Sequence, residues 1–168
     1  LHRDLRRQRQ MCIRDRAQAV SFSNSFIKNA SELSGDEVNV FIAEARFLRA
    51  YAYYNLLDLY GNVPLTTEIS TELPTQSNRT ELFNFIESEL MEIESTLLAS
   101  NEYGRVDNIA AHALLSRLYL NAEAWTGQDR YADCVTYSQN VINSGYSLNM
   151  NDANGCLLYT SPSPRDRS

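Results

Sequence analysis

Apolar residues recur every three or four positions through five successive segments of the chain, and this spacing constrains the fold most. The longest segment carries six of them at such steps: Phe41, Ala45, Leu48, Ala52, Leu56 and Leu59. This period places the side chains on one face of an α-helix. The chain has only six glycines and four prolines in 168 residues, too few for a turn-rich β-sandwich. The sequence therefore predicts an all-α fold.

Residues typical of helix ends mark the boundaries between these segments. Ser34, with Glu37 three positions later, predicts a capping box at the start of the second helix. Gly61 predicts the end of that helix, and Asn78 and Asp107 predict the starts of the next two. A polar loop is expected over residues 65–77 and a short turn over residues 125–128. The five helices are predicted over residues 20–33, 35–60, 79–100, 107–123 and 128–144.

Two of these helices carry further rows of side chains at helical spacing. The third helix carries Leu82, Ile86, Leu90, Ile93 and Leu97. The last helix carries Tyr131, Val135, Ser138 and Ile142. Such rows are typical of a helix face that packs on a neighbour.

The order of the helices predicts two successive helical hairpins. Residues 35–60 pair with 79–100, and residues 107–124 pair with 128–144, as in tetratricopeptide-like repeats. Two hairpins alone leave stacking faces uncovered. We therefore expect residues 17–155 to be a fragment of a larger domain.

Charge is distributed unevenly along the chain. Residues 17–155 contain 7 basic and 18 acidic side chains, which gives a net charge of −11, against −6 for the whole chain. Such an acidic chain argues against a nucleic-acid partner. No stretch is long and apolar enough for a transmembrane helix, and three cysteines form neither a disulfide framework nor a CxxC pair.

The basic ends of the chain are expected to be foreign to the protein. Residues 11–15 and 156–160 can be encoded by opposite strands of one DNA element, and both ends resemble translated sequencing adapters. We therefore predict a non-native arm over residues 1–16 and a non-native tail over residues 156–168. The alternative is a basic arm and a Pro/Ser-rich tail.

Few side chains offer catalytic or metal-binding chemistry. His112 has no acid or cysteine one turn away, which favours a packed structural histidine over a metal ligand or general base. Cys134 has no paired histidine and is interpreted as a small buried side chain. Four glutamates point in different directions around the third helix, which favours a solvated face over a glycosidase pair. They are Glu87, Glu89, Glu92 and Glu94. The sequence thus predicts no catalytic residue, metal site or cofactor.

Two arginines and a tryptophan are the remaining candidates for ligand contact. Arg46 and Arg49 lie three positions apart in an apolar helix, so they are neighbours on its surface. A buried guanidinium needs an acceptor, and we predict structural ion pairs with Glu44, Asp58 or helix-end carbonyls. Trp125 lies near Tyr131 and could stack on a sugar, but packing between two helices is favoured.

Three stretches of the sequence resemble the SusD/RagB family. Residues 43–65 read AEARFLRAYAYYNLLDLYGNVPL and resemble the signature helix and exit turn of the family. Residues 110–124 and 131–148 are similar to helices that follow in it. The resemblance covers nearly all of residues 17–155.

The resemblance implies a glycan-binding, surface-exposed lipoprotein of the outer membrane that has a tetratricopeptide-like scaffold. Such proteins bind oligosaccharides without hydrolysing them and pass them to a TonB-dependent, SusC-like transporter. The lipid anchor is expected outside these residues. Ligand contacts in the family come largely from loops outside the matching motif, so the ligand-binding residues of this chain stay unknown. The matching positions are expected to be scaffold: Arg46, Arg49, Tyr60, Gly61 and Pro64.

Two functions therefore remain open on the sequence. The favoured one is the glycan-binding component of an outer-membrane TonB-dependent polysaccharide uptake system. The alternative is a tetratricopeptide-type scaffold that binds a protein or peptide partner.

Overall fold

The described residues form six helices and one two-stranded sheet. The computed structural model describes residues 2–70 and 73–147. The elements are α1 (His2–Ala30), α2 (Asp36–Tyr60), β1 (Val63–Pro64), β2 (Gln76–Ser77), α3 (Arg79–Ile93), α4 (Asn108–Leu120), α5 (Ala122–Thr126) and α6 (Tyr131–Ile142). The all-α prediction is confirmed. The predicted tail over residues 156–168 lies outside the described residues, and the division into arm, native part and tail stays a prediction.

The predicted helix starts at Asn78 and Asp107 are confirmed. The Asn78 side chain accepts from the Glu81 backbone N–H at 2.9 Å, and the Glu81 carboxylate accepts from the Asn78 N–H at 3.1 Å. The Asp107 carboxylate accepts from the Ala110 N–H at 2.8 Å. Each side chain thus satisfies a backbone donor that has no partner within its own helix.

The predicted capping box at Ser34 is wrong. Helix α2 begins one residue later than that motif requires, with Gly35 as its N-cap and no side-chain hydrogen bond at the cap. The Gly35 carbonyl accepts the first helical bond, from the Asn39 N–H at 3.1 Å. Asp36 and Glu37 then place negative charge in the first turn, where the helix dipole favours it.

Two of the predicted helices differ from the structure in their second half. Helix α3 stops at Ile93 instead of near residue 100, and the helix predicted through Glu123 divides into α4 and α5. At the division, the Asn121 N–H bonds to the Leu118 carbonyl three residues back instead of continuing the α-helical ladder. As a result, Trp125 lies in the short helix α5 and not in the predicted turn.

The end of α2 depends on a glycine. Gly61 has φ 76° and ψ −88°, and its N–H bonds to the Leu57 carbonyl at 2.9 Å. A side chain at this φ is strained, and a Cβ atom here would lie 2.5 Å from Nε of Arg79. The chain then enters β1, where Val63 pairs with Ser77 and Pro64 with Gln76. The sequence did not predict this pairing, because two-residue strands leave no periodic pattern.

Replacing this glycine should cost more than replacing a glycine that only needs a positive φ. We expect Gly61→Ala to lower the free energy of unfolding by about 2–3 kcal/mol, because φ 76° with ψ −88° lies outside even the left-handed helical region that other residues can adopt. Gly127→Ala is the matched control: Gly127 has φ 75° and open space around it, so we expect a cost of about 1 kcal/mol. Urea unfolding of both variants measures the difference. Equal costs would show that the backbone is no more strained at Gly61 than at Gly127.

The predicted hairpins are confirmed by the packing of the helices. Helix α2 packs on α1 and α3, helix α4 packs on α6, and α5 contacts α3 and α4. The apolar row of α3 is buried throughout and forms the centre of the core: Leu82, Ile86, Leu90, Ile93 and Leu97. Helix α2 is buried on more than one side, as its apolar composition indicates.

Most of the row predicted on α6 is exposed within the described residues. Tyr131 is 45% exposed, Val135 67% and Ile142 69%. Ser138 is the member that faces α4, beside Tyr137, and its hydroxyl lies 2.6 Å from that of Ser116. Part of the α2 row is likewise exposed, including Leu48. Within residues 2–70 and 73–147, no helix has the length and hydropathy to cross a bilayer.

Candidate functional site

The most densely charged part of the described core lies where α2 meets α3. Arg49 Nη2 donates to Glu89 Oε2 at 2.5 Å, and Arg46 Nη2 donates to Glu89 Oε1 at 2.7 Å. Arg46 also reaches the exposed Glu92 at 2.6 Å. Glu89 and Arg49 are buried, with 8% and 6% of their surfaces exposed. We refer to these four residues, Arg46, Arg49, Glu89 and Glu92, as the ion-pair cluster.

The cluster confirms the predicted ion pairing but not its partners. Glu44, a predicted partner, instead accepts from Arg105 at 2.7 Å and from Asn101 at 2.9 Å. The predicted solvated role is wrong for Glu89, which directly precedes Leu90 and lies at the edge of the row that faces α2. Its carboxylate is stable there because two arginines supply charged hydrogen bonds.

Two opposing effects act on the pKa of Glu89. Burial would raise the pKa, but the hydrogen bonds and charges of Arg46 and Arg49 outweigh it and hold the pKa below its ordinary value. The hydrogen bonding that Arg46 donates to Glu89 also raises the pKa of Arg46. The pair of Arg46 and Glu89 therefore stays ionised at neutral pH.

The cluster also reaches the chain that follows β1. Arg49 Nη1 donates to the Asn24 side-chain oxygen of α1 at 2.8 Å, and the Asn24 amide donates to the Thr66 carbonyl at 3.0 Å. We call residues 65–67 the exit segment. The Tyr53 hydroxyl donates to the Thr66 carbonyl at 3.0 Å and accepts from the Thr66 N–H at 2.8 Å. Three buried side chains thus hold this segment.

A groove of about 800 Å³ lies between α1 and the chain after β1. Its apolar lining is Ile13, Ala17, Val20, Leu56, Val63, Pro64, Leu65, Ile69, Leu73 and Pro74. The two buried polar side chains in its lining, Asn24 and Tyr53, already bond to the exit segment. The groove therefore offers mainly an apolar surface, because its buried polar side chains are used to hold the exit segment.

Comparison with known families decides where the chain belongs. A family model described as SusD-like, starch-binding and associating with the outer membrane matches residues 18–120. The chain belongs to this SusD-like family.

Individual relatives agree with this assignment. The chain is 39% identical over 127 residues to the starch-binding protein SusD of Bacteroides thetaiotaomicron, a match that covers 74% of this chain and 23% of the relative. A SusD superfamily protein from Parabacteroides distasonis is similar in structure, with a TM-score of 0.74 and 30% identity over 80% of this chain and 31% of that one. A laminarin-binding SusD-like protein gives a TM-score of 0.71 and 25% identity over 80% and 31%. This SusD-like chain thus spans between 23% and 31% of the lengths of these proteins.

A second charged group of the SusD-like fold joins α3 to the last helical hairpin. Glu87 accepts from Arg130 at 2.7 Å and from the Tyr119 hydroxyl at 2.8 Å. The Arg130 guanidinium lies 4.6 Å from the centre of the Tyr119 ring and also bonds Asp133. Burial is the largest cause that raises the pKa of Tyr119, and its hydrogen bond to Glu87 is the second. The i, i+3 spacing of Arg130 and Asp133 was the available signal in the sequence, but it does not identify Glu87.

The remaining candidates pack inside the scaffold. His112 is buried, and its Nε2 atom lies 2.8 Å from a Glu94 oxygen on the neighbouring chain segment. Trp125 is half-buried and meets the Tyr54 ring edge-on at 5.8 Å, which is the favoured packing role. Cys134 is half-buried and lies 3.7 Å from the Ser116 hydroxyl. Within the described part of the chain, His, Cys, Asp and Glu side chains form no cluster able to hold a metal ion.

Proposed function

We propose that this chain is part of the scaffold of a glycan-binding protein at the surface of the outer membrane. In this proposal, the whole protein is a lipoprotein that captures oligosaccharides, leaves them uncleaved and delivers them to a TonB-dependent, SusC-like transporter. The observation that carries the proposal is the 39% identity to starch-binding SusD over 127 residues. The family match and the laminarin-binding neighbour support the same ligand class.

The chemistry of the described residues supports a scaffold role. The charged side chains that the sequence singles out are used in internal contacts: Arg46 and Arg49 bond Glu89, and Glu94 lies beside His112. These contacts cross from one helix or chain segment to another, so they fix the helices relative to each other. A rigid scaffold of this kind positions binding loops without contacting the ligand itself.

We expect the full-length protein to bind at least one oligosaccharide derived from starch or laminarin, and to release it unchanged. Isothermal titration calorimetry against both series measures binding, and chromatography of the recovered glycan measures cleavage. Glucose, which presents a single ring to the site, is the control ligand and should bind much more weakly. Absence of binding to the whole panel, or shortened glycan products, would contradict the proposal.

Delivery to a transporter calls for a separate measurement. We expect the tagged full-length protein, purified from membranes in mild detergent, to retain a TonB-dependent transporter. Recovery of a soluble protein partner and no transporter would instead favour the tetratricopeptide-type scaffold.

A further inference from the structure

Side chains, more than strand pairing, hold the exit segment in place. Strand β1 ends at Pro64, so residues 65–67 lie beyond the two-residue sheet. Both polar backbone groups of Thr66 are nevertheless satisfied, its N–H by Tyr53 and its carbonyl by Tyr53 and Asn24. The Arg49 guanidinium lies 3.5 Å from the Thr67 carbonyl. The position of this segment therefore depends on side chains of α1 and α2.

One of these side chains depends in turn on α3. Asn24 donates to Thr66 with its amide nitrogen and accepts from Arg49 with its oxygen, so Arg49 fixes the orientation of the Asn24 amide. Arg49 is itself held by Glu89 through the other terminal nitrogen of its guanidinium. The guanidinium is planar and rigid, so its two ends cannot move independently.

We propose that Glu89 holds the exit segment against α1 through Arg49 and Asn24, and so fixes one wall of the groove. Three interfaces meet in this chain of contacts: α3 with α2, α2 with α1, and α1 with the exit segment. Leu65, Thr66 and Thr67 line the groove directly. The carboxylate is a positioning group, and its effect on the groove passes through two intervening side chains.

The hydrogen bonds that link Glu89, Arg49 and Asn24 are strengthened by their burial away from water. Arg49 and Asn24 are both nearly inaccessible to water, with 6% and 4% of their surfaces exposed. The Phe85 ring lies 5.7 Å from the guanidinium carbon of Arg49 and limits its movement. The Nε atom of Arg49 has no hydrogen-bond partner among the described residues, so its two terminal nitrogens alone hold the guanidinium by hydrogen bonds. If the carboxylate were lost, the hydrogen bond to Asn24 would weaken and the exit segment would open more often.

Hydrogen exchange at the Thr66 amide, followed by NMR in the full chain, measures this opening. We expect Glu89→Gln to speed exchange at Thr66 by about 10-fold or more, the effect of weakening one charged hydrogen bond. Glu92→Gln is the matched control, because Glu92 contacts Arg46 and not Arg49, and it should leave Thr66 unchanged. Tyr53→Phe removes the acceptor of the Thr66 amide and gives the rate of the released segment.

A double-mutant cycle tests the route through Asn24. In an Asn24→Ala background, Glu89→Gln should change exchange at Thr66 by less than about threefold, because the connecting side chain is absent and the direct contact of Arg49 with the Thr67 carbonyl, at 3.5 Å, is too long to replace it. An undiminished effect in that background would overturn the proposal. Should Glu89→Gln fail to fold, Arg49→Lys serves in its place, since an ammonium group cannot span Glu89 and Asn24 as the guanidinium does. Unchanged exchange at Thr66 in Arg49→Lys would overturn the proposal as well.

Discussion

Glu89→Gln is expected to lower the free energy of unfolding by about 3–5 kcal/mol at pH 7, among the largest effects of any single substitution in this chain. The variant keeps the size of the side chain but leaves Arg49 without its carboxylate partner, whereas Arg46 retains Glu92. Arg49 has no route to water, since only 6% of its surface is exposed. Chemical denaturation monitored by circular dichroism measures the loss.

Glu92→Gln is the matched control for this substitution. It removes the same charge one helical turn away, from a side chain that is 64% exposed, so we expect a change of at most about 1 kcal/mol. If both variants lost equal stability, the cost would come from the net charge of the helix and not from the buried pair. A loss below about 1 kcal/mol in Glu89→Gln would show that water reaches the cluster.

The difference between the wild type and Glu89→Gln should depend on pH. The pKa of Glu89 is lower in the folded chain than its ordinary value of 4.5, so the stabilisation is fully present above that value. As the pH falls below 4.5 and then through the folded pKa, the carboxylate takes up a proton and the difference shrinks. Denaturation curves of both proteins between pH 7 and pH 3 measure it. A difference that grew on acidification would have the wrong sign for this pair.

The helices were predictable because their signals are local. The cap at Asn78 requires only Asn78 and Glu81, and the end of α2 requires only Gly61 and the proline after it. The capping motif of Ser34 and Glu37 predicted Ser34 as the N-cap, but helix α2 begins one residue later. Gly35 takes the cap position there, and a glycine tolerates the backbone conformation that the turn needs. Local rules identify helices well but place their ends only approximately.

The ion-pair cluster was half predictable for the same reason. Two arginines in an apolar helix require acceptors, and that requirement can be stated from the sequence. Which acceptor they find depends on how α3 rotates against α2, and the residues that meet are 40 and 43 positions apart. Nothing in the local pattern distinguishes Glu89 from Glu92, although one is buried and the other is exposed. Long-range contacts of this kind also place Asn24 and Thr66 beside the cluster.

Two isoleucines show how far helical periodicity predicts burial. Ile86 and Ile142 both belong to rows with helical spacing, yet Ile86 is fully buried on α3 and Ile142 is 69% exposed on α6. Periodicity identifies a face of the helix, but only the arrangement of the other elements decides whether that face is covered. The α3 row lies at the centre of the core, whereas α6 presents Tyr137 and Ser138 to α4 and leaves Val135 and Ile142 exposed.

We therefore expect the same substitution to have very different effects at the two positions. Ile86→Ala removes three carbon atoms from the closely packed core and should lower the free energy of unfolding by about 2–5 kcal/mol, through lost burial and the cavity that remains. Ile142→Ala removes the same atoms from an exposed position and should change it by no more than about 0.5 kcal/mol. Urea denaturation of this chain measures both variants under one set of conditions. A loss above about 2 kcal/mol for Ile142→Ala would mean that the outward face of α6 is covered, and the arrangement of α6 on α4 would have to be revised.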